Sequence, residues 1–69
     1  MIKLSARNQI KGTVTSVVKG ATNGHVHIDI GNGVTIHSSI TNEAIEELGL
    51  KVGDAAIAVI KASDVMVGK

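Results

Sequence analysis

Three kinds of residue are missing from this chain, and each absence limits how a protein of 69 residues can be stabilised. The sequence contains no cysteine, no proline and no phenylalanine, tyrosine or tryptophan. Without cysteine there are no disulfides, and without aromatic side chains a core has to be built from aliphatic residues and methionine alone. Domains this small usually rely on disulfides, a metal or association with other subunits for comfortable stability.

Charge of one sign and long apolar runs are also scarce. The formal net charge is +1, so the basic surface expected of a dedicated nucleic-acid-binding protein is missing. No apolar run approaches the ~18 residues of a membrane-spanning helix, and the first five residues lack the long apolar segment of a secretory leader. We therefore expect a cytoplasmic protein with no membrane and no nucleic-acid partner, which the lack of cysteine also fits.

Apolar surface, in contrast, is abundant. Hydrophobic residues make up 43% of the chain, and the mean hydropathy is +0.28. We interpret this surplus as surface that subunits bury against each other, which predicts a homo-oligomer. The alternative is a tight aliphatic core within a single chain.

Strand patterns occupy both ends of the sequence. The first strand is predicted over residues 8–19, and Gly12 within it indicates a bend, a bulge or a close backbone approach. Residues 55–61 are apolar on both faces, which predicts a strand covered on both sides and, in so small a domain, a subunit contact. Residues 65–67 are predicted to form a short closing strand.

A hairpin is the clearest element of the sequence, because apolar and polar residues alternate strictly on both sides of a glycine-rich loop. A three-residue loop at 31–33 places Ile28 opposite Ile36 and Ile30 opposite Val34, so that apolar side chains meet. A two-residue loop would mix the two faces, and the three-residue loop is therefore favoured.

Between the third and fourth strands the apolar period lengthens, which predicts a helix of about two turns. Thr41 is expected to cap its start, Glu43 to lie in its first turn and Gly49 to end it. The order β-β-β-α-β-β predicts a mainly β, OB-fold-like five-stranded barrel with one short helix between strands 3 and 4. We assign it to a single domain over residues 1–69, although this fold does not by itself identify a function.

Two polar clusters flank the predicted strands. Ser5 and Arg7 precede the first strand, and Lys61 and Ser63 follow the fourth. The two cations would offset the charge of a tetrahedral dianion, and the hydroxyls of both serines and of Thr41 could donate hydrogen bonds to it. The alternative is that these residues are solvated strand ends and turns, which need no function.

The three histidines share one face of the predicted hairpin. His27 lies opposite His37, and His25 is on the same side. Three imidazoles could hold zinc or another transition metal, and titration near neutral pH would alternatively make assembly sensitive to pH. A polar outer face, or a face packed at a subunit contact, is the simpler explanation, so no metal site is assigned.

No nucleophile is patterned with a base, and the sequence has no phosphate-binding loop signature. Asp54 and Asp64 fit turns, and Glu46 and Glu47 fit a solvated helix face. The sequence therefore indicates a binding protein and not an enzyme.

Several segments resemble the signature of the molbindin (Mop) family of molybdate- and tungstate-binding proteins. Residues 5–12, with the sequence SARNQIKG, are similar to the family's opening motif, and residues 59–66, VIKASDVM, to its closing segment. Residues 39–41 and 48–50 match in the middle, so the resemblance spans essentially the whole chain. By this resemblance the chain is a single Mop (molybdate-binding) domain.

The resemblance implies an OB-like barrel whose subunits exchange strands and assemble as a hexamer, a trimer of dimers, with oxyanions at the subunit interfaces. It implies non-covalent binding of molybdate or tungstate, for intracellular molybdenum storage and homeostasis, without an organic cofactor. Arg7 would act partly through its backbone N–H. The oxyanion-binding residues carried over from the motifs are Ser5, Arg7, Thr41, Lys61, Ala62 and Ser63.

Two other functions are compatible with an OB-like barrel. A ligand-free interaction module would keep the fold without binding an oxyanion, but both terminal polar segments are intact. A single-stranded nucleic-acid binder would need aromatic side chains for base stacking over a basic groove, and this chain has neither.

Overall fold

The computed structural model describes residues 5–69, and four of the five residues on which the expectation about a leader rests lie outside this range. The strands form one antiparallel sheet in the order β3-β2-β1-β4, curled into half a barrel. The elements in chain order are β1 (Asn8–Lys19), β2 (Asn23–Gly31), β3 (Val34–Thr41), helix α1 (Asn42–Leu48), β4 (Ala55–Ile60) and a 3-10 turn (Ala62–Asp64). The predicted mainly β architecture, with one short helix between the third and fourth strands, is confirmed.

Strand β1 joins the two halves of the sheet. Its first half pairs with β4 and its second half with β2, and Thr13 pairs with both. Gly12 lies just before this change of partner, where an added Cβ would be 2.5 Å from the carbonyl oxygen of Asp29. Of the bend, bulge or close backbone approach that the sequence indicates at Gly12, the structure shows the close approach. A register shift between Val14 and Ser16 adds a bulge, and bulges bend a strand and increase its twist.

The hairpin between β2 and β3 has the predicted pairing along most of its length. Ile28 lies opposite Ile36, as expected. Next to the loop the prediction is wrong, because Val34 pairs with Gly31 and not with Ile30. The connection therefore has two residues, and one extra residue is accommodated in β2 as a bulge.

The chemistry of the turn explains this difference. Asn32 and Gly33 have φ angles of 53° and 74°, which is the left-handed pair that a two-residue Asn-Gly hairpin turn requires. The N–H of Gly31 donates to the side-chain oxygen of Asp29 at 2.9 Å, which stabilises the bulge. The turn preference decides the loop length locally, and the bulge then restores the apolar register further along.

A small aliphatic core lies inside the curl of the sheet. Its fully buried members are mostly β-branched, as expected for packing on a pleated surface. Helix α1 covers one end of this core by inserting Ile45, which is 2% exposed. The buried core residues are Val14, Val26, Ile28, Ile45 and Ala58.

Both ends of α1 are capped as predicted. The Thr41 hydroxyl oxygen accepts a hydrogen bond from the Ala44 N–H at 3.0 Å, and Glu43 lies in the first turn. Gly49 adopts the left-handed conformation at φ 62°, and its N–H donates to the carbonyl of Glu46. These caps satisfy backbone groups that the short helix cannot satisfy itself.

The predicted fifth strand is wrong. Residues 65–69 form no strand, and Met66 and Val67 are 95% and 93% exposed. A strand needs a partner edge, and this segment pairs with none in the described chain. The edges of β3 and β4 are likewise separated by an open groove of about 760 Å³, lined mainly by apolar residues of both strands.

Strand β4 is covered on one face only. Ala58 points into the core and is 6% exposed, whereas Val59 on the other face is 46% exposed. Leu48 and Val52, at 69% and 67%, add to the exposed apolar surface. The burial of β4 on both faces is thus not found within a single chain.

Over residues 5–69 no helix has the length and apolar character needed to cross a bilayer.

Candidate functional site

The two polar segments from the ends of the sequence are adjacent in the fold. Asn8 opens β1, Ile60 closes β4, and these two residues are paired across the ladder. Because the strands are antiparallel, residues 5–7 and residues 61–63 emerge at the same end of the sheet. The structure therefore places five of the six residues expected to bind an oxyanion on two segments that leave the same end of the sheet: Ser5, Arg7, Lys61, Ala62 and Ser63.

Side-chain amides hold this end of the sheet together. The Asn8 amide nitrogen Nδ2 donates to the Ile60 carbonyl oxygen at 3.1 Å. The Gln9 amide nitrogen Nε2 lies 3.4 Å from the carbonyl oxygen of Ala6, at the long end of hydrogen-bond distance. Ala6 is 9% exposed, so its methyl group anchors the first segment while its neighbours remain accessible.

The second segment is a single 3-10 turn. Its hydrogen bonds run from the N–H of Asp64 to the Lys61 carbonyl, at 2.9 Å, and from the N–H of Val65 to the Ala62 carbonyl, at 3.2 Å. The N–H groups of Ala62 and Ser63 are not used by this turn, as is general for the first residues of a helical turn. Ala62, which has no polar side-chain atom, can therefore contribute to binding only through its backbone.

The cations at this end of the sheet are accessible. Arg7 and Lys61 are both exposed, and within residues 5–69 the one ion pair joins Lys19 to Glu46 at 2.7 Å. That hydrogen bond and the charge of Lys19 lower the pKa of Glu46. Neither Arg7 nor Lys61 is neutralised by a carboxylate of the described chain, so both remain available to an anion.

Thr41 lies elsewhere. Thr41 pairs with Asn23, beside the pair of Gly24 with Lys19, which is the last residue of β1. Residues 5–7 precede the first residue of β1, so Thr41 and this segment lie at opposite ends of the strand. No strand pairing or hydrogen bond of the described chain connects Thr41 to the terminal segments. Its hydroxyl oxygen already accepts the capping hydrogen bond, but the hydroxyl hydrogen remains free to donate.

The histidines form a pair and not a cluster of three. The rings of His27 and His37 are stacked, with centroids 4.1 Å apart and an angle of 27° between their planes. His25 pairs with Ser39. Among the described residues no group of three or more histidine, cysteine, aspartate or glutamate side chains is arranged to hold a metal ion.

Asn8 and Gln9 are the residues that the sequence interpretation left without a role. They lie inside the quoted motif, but their contacts depend on which strand pairs with β1. The signal that could have identified them is the position of two amide side chains at the first two residues of a strand, where backbone pairing begins.

Known proteins of similar sequence and structure identify the family. Residues 4–67 match the TOBE domain. A Haemophilus influenzae protein named as a probable molybdenum-pterin-binding protein is 52% identical over 67 residues, which cover 97% of each chain.

Two solved structures have the same fold. A molybdate-binding protein from Sporomusa ovata superposes with a TM-score of 0.92 and 32% identity, covering 99% of this chain and 100% of that chain. The cytoplasmic molybdate-binding protein ModG, with molybdate bound, superposes with a TM-score of 0.89 and 49% identity, covering 94% of this chain and 46% of that one. The OB-like fold predicted from the sequence is thereby confirmed, and the chain belongs to the TOBE-domain family, among the molbindins that its motifs resemble.

Proposed function

We propose that this protein binds molybdate or tungstate non-covalently, at sites completed between the subunits of a homo-oligomer, and serves as a cytoplasmic molybdenum store. The observation that carries the proposal is the pairing of Asn8 with Ile60, which brings the opening and closing motifs to one end of the sheet. The molybdate-binding relatives support the ligand, and the description of ModG as cytoplasmic supports the location.

The chemistry of the joined segments suits a tetrahedral dianion. Arg7 and Lys61 supply positive charge, Ser5 and Ser63 supply hydroxyl donors, and the backbone of Ala62 can approach closely. Hydrogen bonds to a charged group contribute about 1.5–3 kcal/mol each. The size of the cavity would discriminate against the smaller sulfate.

The position of Thr41 supports a site shared between subunits. The terminal segments lie beyond the first residue of β1, and Thr41 lies at the level of its last residue. A second subunit that places its Thr41 beside the first subunit's Lys61 would complete the set of six residues. The binding unit is then the oligomer, and a monomer would offer an incomplete site.

Unpaired strand edges support assembly by strand exchange into a hexamer. The groove between β3 and β4 is apolar and about 760 Å³ in volume, and the apolar residues 65–67 of the same chain are exposed. Burial of apolar surface contributes about 25 cal/mol per Å², so pairing these surfaces between copies would compensate for the small core of the single chain.

The free oxyanion, and not an organic molybdenum cofactor, is the proposed ligand, and no reaction is catalysed. Phe, Tyr and Trp, whose rings could stack on the flat ring of a pterin, are absent from the chain. Denaturation of protein purified from cells would release a fluorescent pterin if the relatives' name also applied to this chain. Under the proposal it releases molybdate alone.

The decisive experiment is isothermal titration of molybdate into the wild type, K61A and K51A. Lys51 is an exposed lysine that precedes β4, whereas Lys61 follows it, so K51A is a control matched in charge. K61A should weaken binding roughly 10- to 100-fold, as expected for one charge-assisted hydrogen bond, and K51A should leave it unchanged.

Native mass spectrometry of the same proteins tests the assembly. A hexamer that takes up a defined number of molybdates and ignores equimolar sulfate is the expected result. A wild-type protein that is blind to molybdate and tungstate would refute the proposal and favour the ligand-free interaction module. A monomer that binds molybdate with full affinity would refute the shared site alone.

A further inference from the structure

We propose that Asn8 is a positioning residue of the oxyanion site. Its carboxamide connects the segment that opens the site to the segment that closes it, without itself contacting the ligand. This inference rests on the proposed function. It adds a residue that is not one of the six expected to bind the oxyanion.

The geometry that carries this inference is a single long-range contact. Asn8 Nδ2 donates to the Ile60 carbonyl oxygen at 3.1 Å, between residues 52 positions apart, in a partly buried environment. Ile60 is the last residue of β4. Lys61 follows directly in an extended conformation, with φ −63° and ψ 142°, and leads into the 3-10 turn that carries Ala62 and Ser63.

This contact lies at the end of the β1–β4 ladder, where the backbone is least restrained. Strand ends fray because their last residues have neighbours on one side only. Beyond Asn8 and Ile60 no further pairing of β1 with β4 holds the chain. The side-chain hydrogen bond therefore holds the backbone at the point from which Lys61 departs, and with it the start of the segment that carries the lysine and the serine.

Gln9 makes the corresponding connection on the other side. Its Nε2 lies 3.4 Å from the carbonyl of Ala6, the residue between Ser5 and Arg7. Its Oε1 is buried without a hydrogen-bond partner in the described chain. The two adjacent amides thus hold the backbone of both segments, but the Asn8 contact is shorter and is the one that joins them.

The replacement of Asn8 tests the role of the donor. N8A removes the Ile60 contact and leaves the six oxyanion-binding residues in place. We expect molybdate affinity to fall about tenfold, close to the upper limit for a neutral hydrogen bond. N8Q keeps a carboxamide donor on a longer side chain and should recover part of that loss. T13A, which alters an exposed residue of the same ladder, is the matched control and should bind as the wild type does.

A double-mutant cycle separates positioning from general stability. If Asn8 acts through the closing segment, N8A should cost much less affinity in a K61A background than in the wild type, because the residue it positions is already lost. A merely structural role would reduce affinity by the same factor in both backgrounds. Hydrogen exchange of the Asp64 amide, which reports the closing turn, should accelerate in N8A and not in T13A.

The outcomes separate this inference from the proposed function. If the wild type binds molybdate and N8A binds it with the same affinity, the inference is overturned and the proposed function stands. A wild type that binds neither molybdate nor tungstate would overturn both. If N8A fails to assemble, N8Q decides: lowered molybdate affinity together with faster exchange of the Asp64 amide supports the role, and wild-type affinity or unchanged exchange refutes it.

Discussion

Replacement of Gly12 by alanine should strongly destabilise the protein, although it adds only one methyl group. The added Cβ would lie 2.5 Å from the Asp29 carbonyl oxygen and 2.6 Å from Ile28 Cγ2. Carbon contacts are favourable at about 3.5–4.0 Å, so β1 and β2 would have to separate by roughly 1 Å. The carbonyl belongs to a paired strand and cannot rotate away as a flexible side chain would.

The magnitude follows from two costs and one gain. Overpacking of this kind costs about 1–3 kcal/mol, and each weakened ladder hydrogen bond costs a further ~1 kcal/mol. The restricted unfolded state of alanine returns about 0.4–1 kcal/mol. We therefore expect a net loss of about 2–3 kcal/mol, which corresponds to a fall in Tm of roughly 8–24 °C for a domain of this size.

The assay is thermal and urea denaturation at one fixed protein concentration, because the apparent stability of an oligomer depends on concentration. G68A is the control, since an added Cβ at Gly68 meets nothing within 4 Å and that glycine has no positive φ. A G12A protein as stable as the wild type, or a G68A protein equally destabilised, would contradict the close approach of β1 and β2.

Three further predictions address the cap, the core and the ion pair. T41D should keep helix α1 capped, because aspartate is at least as good an N-cap as threonine, yet lose molybdate binding by charge repulsion; unchanged binding in titration calorimetry would place Thr41 outside the site. I45A should cost about 2–5 kcal/mol in urea denaturation, as for other buried isoleucines, and a loss below ~1 kcal/mol would mean that α1 does not seat on the core. Lys19 lowers the pKa of Glu46 from 4.5, so the ion pair stabilises the fold above the unfolded-state pKa and its contribution is lost as the pH falls through the lower folded-state pKa. E46Q should therefore have a flatter acid limb in a stability–pH profile than the wild type, and identical limbs would contradict this coupling.

Features set by neighbouring residues were predictable from the sequence. The caps of α1 are an example, because the partners lie three positions away in the sequence: Ala44 for Thr41 and Glu46 for Gly49. The predicted hairpin loop is one residue too long, because the pattern of apolar faces does not contain the left-handed preference of Asn32 and Gly33. The loop length is therefore also set by neighbouring residues.

Features that depend on partners distant in the sequence were harder to predict. The apolar residues 65–67 have the composition of a strand, but a strand exists only where an edge accepts it, and no edge of the described chain does. The role of Asn8 similarly depends on the pairing of β1 with β4. Five of the six residues carried over from the family motifs nevertheless lie at the same end of the sheet, because the motifs flank the two strands that pair.

The pairing of Asn8 with Ile60 also has a consequence for folding. This contact closes a loop of 52 positions, and closure of such a loop costs about 3.5 kcal/mol in chain entropy. The hairpin and the helix involve short separations and can form early, whereas this end of the ladder is expected to form late. A nascent chain would therefore acquire its anion-binding segments only in the final stage of folding, and oxyanion uptake would report that the last strand has been placed.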